Sequence, residues 1–102
     1  MNACASEEIR FRARVEAWMQ QLKVRPTQIR IQHMTRKWAS CSTAGRVSFS
    51  KDLPAQSVYF QDYVIVHELL HLRLPNHGKL FQSLLRVHVP YMRGERNGTN
   101  GR

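Results

Sequence analysis

Apolar residues near the amino terminus recur at the spacing of an amphipathic helix. Four of them follow one another at intervals of four, three and four residues: Phe11, Val15, Trp18 and Leu22. This spacing places them on one face of a helix. Ser6 and the two glutamates after it are typical of a helix start, and Pro26 is typical of a stop. The pattern predicts an amino-terminal helix with one buried face.

Beyond Pro26 the period of the pattern changes from helical to alternating. Isoleucines alternate with polar residues from 28 to 33, which predicts a strand half covered by the core. Two further short strands are predicted at residues 38–41 and 46–50. The polar stretch 42–45 between them ends in glycine, which favours a hairpin turn. We therefore expect a three-stranded sheet after the first helix.

The second half of the chain returns to a helical pattern. Residues 56–74 are strongly apolar, which predicts a largely buried helix ended by Pro75. A final helix is predicted before Pro90 from its spaced apolar residues: Leu80, Leu84, Leu85 and Val89. Residues 94–102 contain three glycines, two asparagines and no apolar residue, so we expect a disordered tail after one domain at residues 1–93. The order of elements predicts an α+β fold.

The charge of the chain is strongly positive. Sixteen Lys and Arg against seven Asp and Glu give a formal net charge of +9 over 102 residues. Such a balance favours an anionic partner such as nucleic acid, a nucleotide or an acidic substrate. The cations are spread along the whole chain rather than gathered in a dense run. A basic surface without a dedicated partner therefore stays open as the alternative.

The number of cysteines and the absence of long apolar stretches bear on where the protein is located. Cys4 and Cys41 are its two cysteines, which is too few for the disulfide framework of a small secreted domain. Residues 1–14 carry charges where a signal peptide needs an apolar run. No stretch approaches the roughly 20 apolar residues that span a bilayer. We expect a cytoplasmic protein with no membrane partner.

The segment His67-Glu68-Leu69-Leu70-His71 indicates a metal site. On a helix, residues four apart share a face, so His67 and His71 can reach one ion. Glu68 lies about 100° around the helix, where it faces a water molecule beside the ion and can act as general base. His77 follows the break at Pro75, where the chain can turn back, and is the candidate third ligand. Three protein ligands with one open position are typical of catalytic zinc.

Other chemically capable residues have simpler interpretations. His33 lies in a strand pattern and His88 in the last helix, and both are expected to be structural. Cys41 is expected to be a small buried thiol. Tyr91 is a candidate oxyanion donor, although a packing role is the more common one for tyrosine.

The chain resembles the YgjP-like metallopeptidase domains, relatives of the WLM and SprT-like zincins. The resemblance is carried by the stretches Arg36–Ser42, Tyr63–Leu72 and Asn76–Phe81. It implies a zincin core with an amino-terminal helix, a three-stranded sheet, an active-site helix carrying the HExxH motif and a carboxyl-terminal helix. It also implies that His67, His71 and His77 bind zinc and that Glu68 is the catalytic acid/base. Residues 38–42 would then lie near the cleft, where an edge strand can pair with an extended peptide.

Three functions remain open at this point. The first is a zinc peptidase in which Glu68 activates water. The second is a zinc-dependent nucleotide pyrophosphatase or phosphohydrolase that uses the basic surface, although the chain has no phosphate-binding Gly-rich loop. The third is a non-catalytic, zinc-stabilised module associated with nucleic acid. Closed structural zinc sites usually have four ligands, often cysteines, which disfavours the third function.

Overall fold

Three α-helices and one three-stranded sheet form the chain in a computed structural model, which describes residues 3–74 and 76–90. The elements in chain order are α1 (Ala3–Leu22), β1 (Gln28–Gln32), β2 (Ala39–Cys41), β3 (Arg46–Ser50), α2 (Val58–Leu70) and α3 (Lys79–His88). A short 3-10 helix, Leu53–Ala55, precedes α2. The predicted α+β class is confirmed. The predicted domain limit at residue 93 and the tail 94–102 lie outside the described residues.

Helix α1 is longer than the pattern predicted. It begins at Ala3 rather than at Ser6, because alanine is the strongest helix former and nothing in residues 3–6 interrupts the helix. At its other end Lys23 adopts a left-handed conformation with φ 58°. The amide of Val24 donates to the carbonyl of Met19 at 3.1 Å, which closes the helix end as in a Schellman motif.

The sheet has the strand order β1-β3-β2. β1 pairs with β3 in parallel, and β2 pairs with β3 as an antiparallel hairpin. The hairpin turns through Gly45 at φ 88°, the left-handed region that glycine tolerates best. The hydroxyl oxygen of Ser42 accepts hydrogen bonds from the amides of Ala44 and Arg46, both at 3.2 Å. Because the strand order places β2 at one end with β3 as its one neighbour, β2 is an edge strand of this sheet.

The core lies between α1, the sheet and the two later helices. Its fully buried side chains include Phe11, Val15, Val47, Phe49, Leu53, Ile65, Leu69 and Phe81. The predicted buried face of α1 is confirmed at Phe11, Val15 and Leu22, while Trp18 is only half-buried. Burial of this apolar surface supplies the main favourable free energy of folding.

One polar cluster lies at the edge of this core. The Oδ1 atom of Asp62, on α2, accepts hydrogen bonds from the guanidinium of Arg14 and the indole nitrogen of Trp18, each at 2.9 Å. Asp62 is only 7% exposed. A buried carboxylate needs such partners, so this cluster ties α1 to α2.

Helix α2 ends earlier than predicted. The pattern gave a helix to Leu74, but the structure ends it at Leu70 and continues in a turn. The amides of residues 71, 72 and 73 each donate to the carbonyl three positions earlier, at 3.0–3.1 Å. This tighter winding is common where a helix ends, and a residue that precedes proline is disfavoured in the α conformation. The chain is thereby redirected toward α3.

The predicted final helix is confirmed as α3, and of the apolar residues that predicted it Leu85 and Val89 are buried whereas Leu80 is not. Phe81 and Leu85 are buried in the core, whereas Leu80 is 60% exposed. The apolar spacing could not separate the buried face from the exposed one because leucines lie on both. Across the described residues, no helix combines the length and apolarity that a membrane span requires.

Candidate metal centre

Helix α2 carries the first part of the site at its carboxyl-terminal end. Ser57 caps the start of the helix, where its hydroxyl oxygen accepts from the amide of Phe60 at 3.2 Å. His67 and Glu68 lie in the last turn, and His71 is the residue at which the helix ends. All three side chains are half-buried, while their apolar neighbours on the helix are buried. Burial of the apolar face thus orients the two histidines toward one side.

His77 reaches the same side from the segment before α3. It lies in non-helical chain between the turn after α2 and Gly78, which starts α3 in an extended conformation. Its Nε2 atom is 3.2 Å from the Nε2 atom of His67. Its ring centroid is 4.5 Å from that of His71. The turn predicted after Pro75 therefore brings the third histidine back to the helix.

The three imidazoles form one compact cluster. One nitrogen atom from each of His67, His71 and His77 lies within 4.8 Å of the other two. Within the described ranges 3–74 and 76–90, this is the group of His, Cys, Asp or Glu side chains whose geometry suits a metal ion. The structure therefore brings together the histidines that the motif singled out.

Glu68 lies beside this cluster rather than within it. Its Oε2 atom is 3.3 Å from the Nδ1 atom of His67. Its side chain is only 13% exposed. This position leaves the imidazoles as the candidate ligand set and places a carboxylate next to it, as the helical spacing predicted.

The surroundings of His71 favour its neutral form. Burial lowers the pKa of His71 below its ordinary value, and the neighbouring His67 lowers it further. The carboxylate of Glu68 and a hydrogen bond with the backbone of Leu74 act in the opposite direction. A neutral imidazole is the form that binds a metal, so the site favours the competent protonation state.

A cleft opens between the carboxyl-terminal end of α2 and the β2–β3 hairpin. It has a volume of about 650 Å³. Glu68, His71 and Leu72 line one wall. The other wall is formed by the hairpin and the residues before it: Lys37, Ala39, Ser40, Cys41, Ser42, Thr43 and Gly45. The edge strand β2 therefore faces the histidine cluster across a space large enough for a bound chain segment.

Two residues of this region have surroundings that the pattern did not predict. Cys41 was expected to be a structural thiol, but it lines the cleft and is only half-buried. Its pKa is raised by burial and, secondarily, by the negative charge of Glu68. Phe81 contacts the rings of all three histidines, with centroids 4.8–5.2 Å away. The resemblance contained both residues in its motifs, but only the packing shows what they touch.

The remaining candidates lie away from the cluster. His33 is exposed, and His88 packs edge-on against Trp18 with ring centroids 5.8 Å apart. Neither belongs to the group of clustered ligand atoms in the described chain. Tyr91, the candidate oxyanion donor, lies outside the described residues.

Comparison with known proteins identifies the family. A model of the YgjP-like metallopeptidase domain matches residues 3–100. The chain belongs to this family. The sequence resemblance is thereby confirmed over nearly the whole length, and the YgjP-like assignment supports a peptidase-type hydrolase that works with a metal ion. No curated protein matched the chain in sequence.

A solved structure shows the same fold as this YgjP-like domain. It is the metallopeptidase zymogen abylysin of Pyrococcus abyssi, with a TM-score of 0.70 and 16% sequence identity. The match covers 90% of this chain and 96% of that one. At this identity the similarity concerns the fold, which is that of a metallopeptidase.

Proposed function

We propose that this protein is a zinc-dependent peptidase in which His67, His71 and His77 hold the ion and Glu68 is the general base. The observation that carries the proposal is the convergence of three imidazoles, two from the end of α2 and one from the segment before α3, beside the carboxylate of Glu68. Family membership supports a peptide or protein as the substrate.

The donor set fits zinc. Zinc binds imidazole nitrogen at about 2.0–2.1 Å, so two nitrogens at tetrahedral corners of one ion lie about 3.3 Å apart. The Nε2 atoms of His67 and His77 are 3.2 Å apart. A set of three neutral imidazoles is also the kind of donor set that zinc prefers, with one position left for water or substrate. When bound, zinc would supply Lewis acidity that lowers the pKa of water and polarises a carbonyl group.

The residues of the chain would carry the proton transfers. Glu68 accepts a proton from the attacking water at a carboxylate oxygen, while the hydroxide adds to the peptide carbonyl carbon. It then returns that proton to the leaving amine nitrogen as the C–N bond breaks. The half-buried position of Glu68 at the cleft wall suits this role, because it excludes bulk water while leaving the carboxylate accessible.

The hairpin side of the cleft suits an extended peptide. β2 is an edge strand whose one neighbour in the described sheet is β3, and it lines the cleft. An edge strand offers backbone donors and acceptors to an added chain in extended conformation. Lys37 is the one cation among the lining residues. The strongly basic character of the chain is therefore not concentrated here, which favours a peptide over a nucleotide polyphosphate.

The proposal is tested by Glu68→Gln, which keeps the size of the side chain and removes the base. We expect cleavage of a quenched-fluorescent peptide library or of casein to fall by at least about a hundredfold. Zinc content, measured by elemental analysis of the purified protein, should be unchanged. Glu16→Gln, an exposed glutamate on α1, is the matched control and should retain full activity.

Three outcomes would contradict the proposal. Equal cleavage by Glu68→Gln and the wild type would remove the general base from the mechanism. Release of pyrophosphate from nucleoside triphosphates, without peptide cleavage, would replace the peptidase by a phosphohydrolase. Cleavage of neither substrate by a zinc-loaded wild type would favour the non-catalytic module.

A further inference from the structure

The ring of Phe81 is the shared neighbour of the three histidines. Its centroid lies 5.2 Å from that of His67, 4.9 Å from that of His71 and 4.8 Å from that of His77. The rings of His67 and His77 meet it nearly edge-on, with interplanar angles of 78°. These are the separations and angles at which aromatic rings attract one another.

The surroundings of Phe81 make this ring a fixed surface. It is 1% exposed and lies in the first turn of α3, within the hydrophobic core. A core side chain of this size is held in one rotamer by its neighbours. The imidazoles, by contrast, are half-buried or exposed. The ring is thus the immobile partner in all three contacts.

The histidines come from two separate pieces of the fold, which Phe81 joins. His67 and His71 belong to the end of α2, whereas His77 lies in the segment before α3. His67 has the carboxylate of Glu68 beside its Nδ1 atom, and His71 has a hydrogen bond with the backbone of Leu74. Those contacts orient single rings, while the contact with Phe81 is common to the three.

We propose that Phe81 is a positioning residue that holds the three imidazoles in their convergent arrangement before a metal ion binds. This inference rests on the proposed metal site and adds a determinant of its affinity. Pre-arranged ligands lose less conformational freedom on binding, so the ion binds more tightly. Phe81 itself touches neither substrate nor metal in this role.

The test compares Phe81→Leu with Phe11→Leu in the full chain. Phe11 is also 1% exposed and packs edge-on against Phe49 instead of the histidines. Both variants lose one aromatic ring from the same core. Zinc affinity is measured by competition with a chromophoric chelator, and cobalt(II) absorption reports the geometry of the ligands. Urea unfolding of each metal-free variant measures the loss of stability common to both.

We expect Phe81→Leu to bind zinc about tenfold more weakly and to change the intensity of the cobalt absorption bands. Substitution of residues that contact metal ligands commonly has such effects. Phe11→Leu should keep the wild-type affinity and spectrum. Equal affinities and spectra for the two variants would overturn the inference while leaving the zinc site intact. A wild type that binds no metal would instead overturn the proposed function, and the inference with it.

A second measurement needs no substitution. In metal-free wild-type protein, proton NMR should show nuclear Overhauser contacts between the Phe81 ring and the ring protons of each histidine. Contacts to all three would support a site arranged in advance. Contacts to none of them, in a folded metal-free protein, would overturn the inference even if Phe81→Leu failed to fold.

Discussion

Helix α2 carries two polar clusters that differ in how well their members match one another in charge and hydrogen bonding. At Asp62 a buried carboxylate meets a guanidinium and an indole N–H at 2.9 Å, so groups of complementary charge and hydrogen-bonding character face one another. At His67 and His71, about one and a half and two and a half turns further on, groups of the same kind face one another and a third imidazole. In the first arrangement the carboxylate finds hydrogen-bond donors and a positive charge within the chain. The second gathers imidazole nitrogens, whose lone pairs a bound cation would stabilise.

This difference separates a polar contact that supports the fold from one that supports chemistry. A complementary pair lowers the free energy of the folded state, so its removal should appear as lost stability. A cluster of like ligands lowers the free energy of the metal-bound state, so its removal should appear as lost affinity. Four experiments can test this division.

The largest effect is expected for His71→Ala. Loss of one of three ligands should weaken zinc binding by more than about a hundredfold, since loss of a residue that only hydrogen-bonds to a metal ligand already lowers metal affinity about 10–100-fold. Chelator competition measures the affinity. His33→Ala, which removes an exposed histidine away from the cluster, should leave it unchanged. Comparable zinc affinity in the two variants would show that the histidine cluster does not bind the metal, and would contradict this distinction.

The converse change is Asp62→Ala. We expect the free energy of unfolding in urea to fall by about 1–3 kcal/mol, because a buried donor loses its acceptor. Arg14 remains partly solvated, with 35% of its side chain exposed, which keeps the loss toward the lower end. Zinc affinity should not change. Asp52→Ala removes an exposed aspartate and should alter stability by no more than about 0.5 kcal/mol.

A smaller effect is expected in the pH dependence of the metal-free protein. Burial lowers the pKa of His71 in the folded state below its ordinary value of 6.5. Below pH 6.5 the unfolded chain therefore binds a proton that the folded chain does not. The stability associated with a neutral His71 is present above pH 6.5 and is lost as the pH falls toward the folded pKa. Urea midpoints between pH 5 and 8 should follow this direction.

A variant isolates the contribution of this one histidine. His71→Gln should make the urea midpoint less dependent on pH in that range, whereas His33→Gln should leave the dependence as in the wild type. An unchanged slope in His71→Gln would show that another group causes the acid sensitivity.

The smallest effect concerns the thiol in the cleft. Burial, and secondarily the charge of Glu68, raises the pKa of Cys41. Less thiolate is then present at pH 8, so alkylation by iodoacetamide in a Cys4→Ser background should be slower than in unfolded protein. Glu68→Gln should accelerate it by less than about tenfold, and Glu16→Gln should not change it. A rate insensitive to Glu68 would place the thiol out of its electrostatic reach.

The sequence predicted best what depends on neighbours along the chain. The β2–β3 hairpin followed from its glycine turn, and the shared face of His67 and His71 followed from helical spacing. The parallel pairing of β1 with β3 did not follow, because alternation has the same period in every pairing and says nothing about partners.

The contacts that complete the site are long-range, and no local pattern encodes them. Phe81 is apolar like Leu80 beside it, and only the packing of α3 decides which of the two is buried against the histidines. Cys41 reaches the cleft because the hairpin folds across the end of α2. The early end of α2 has a similar cause, since the turn at residues 71–74 depends on where the chain must go next.

The candidate metal ligands and the cleft wall that faces them come from different stretches of chain. The imidazoles and the carboxylate lie within residues 67–77, whereas the facing wall lies within residues 37–45. If the proposed function holds, substitutions in the hairpin should change which peptides are cleaved without disturbing the proposed zinc ligands and general base. Attempts to change the selectivity of this protein should therefore begin with residues 37–45 and leave residues 67–77 unchanged.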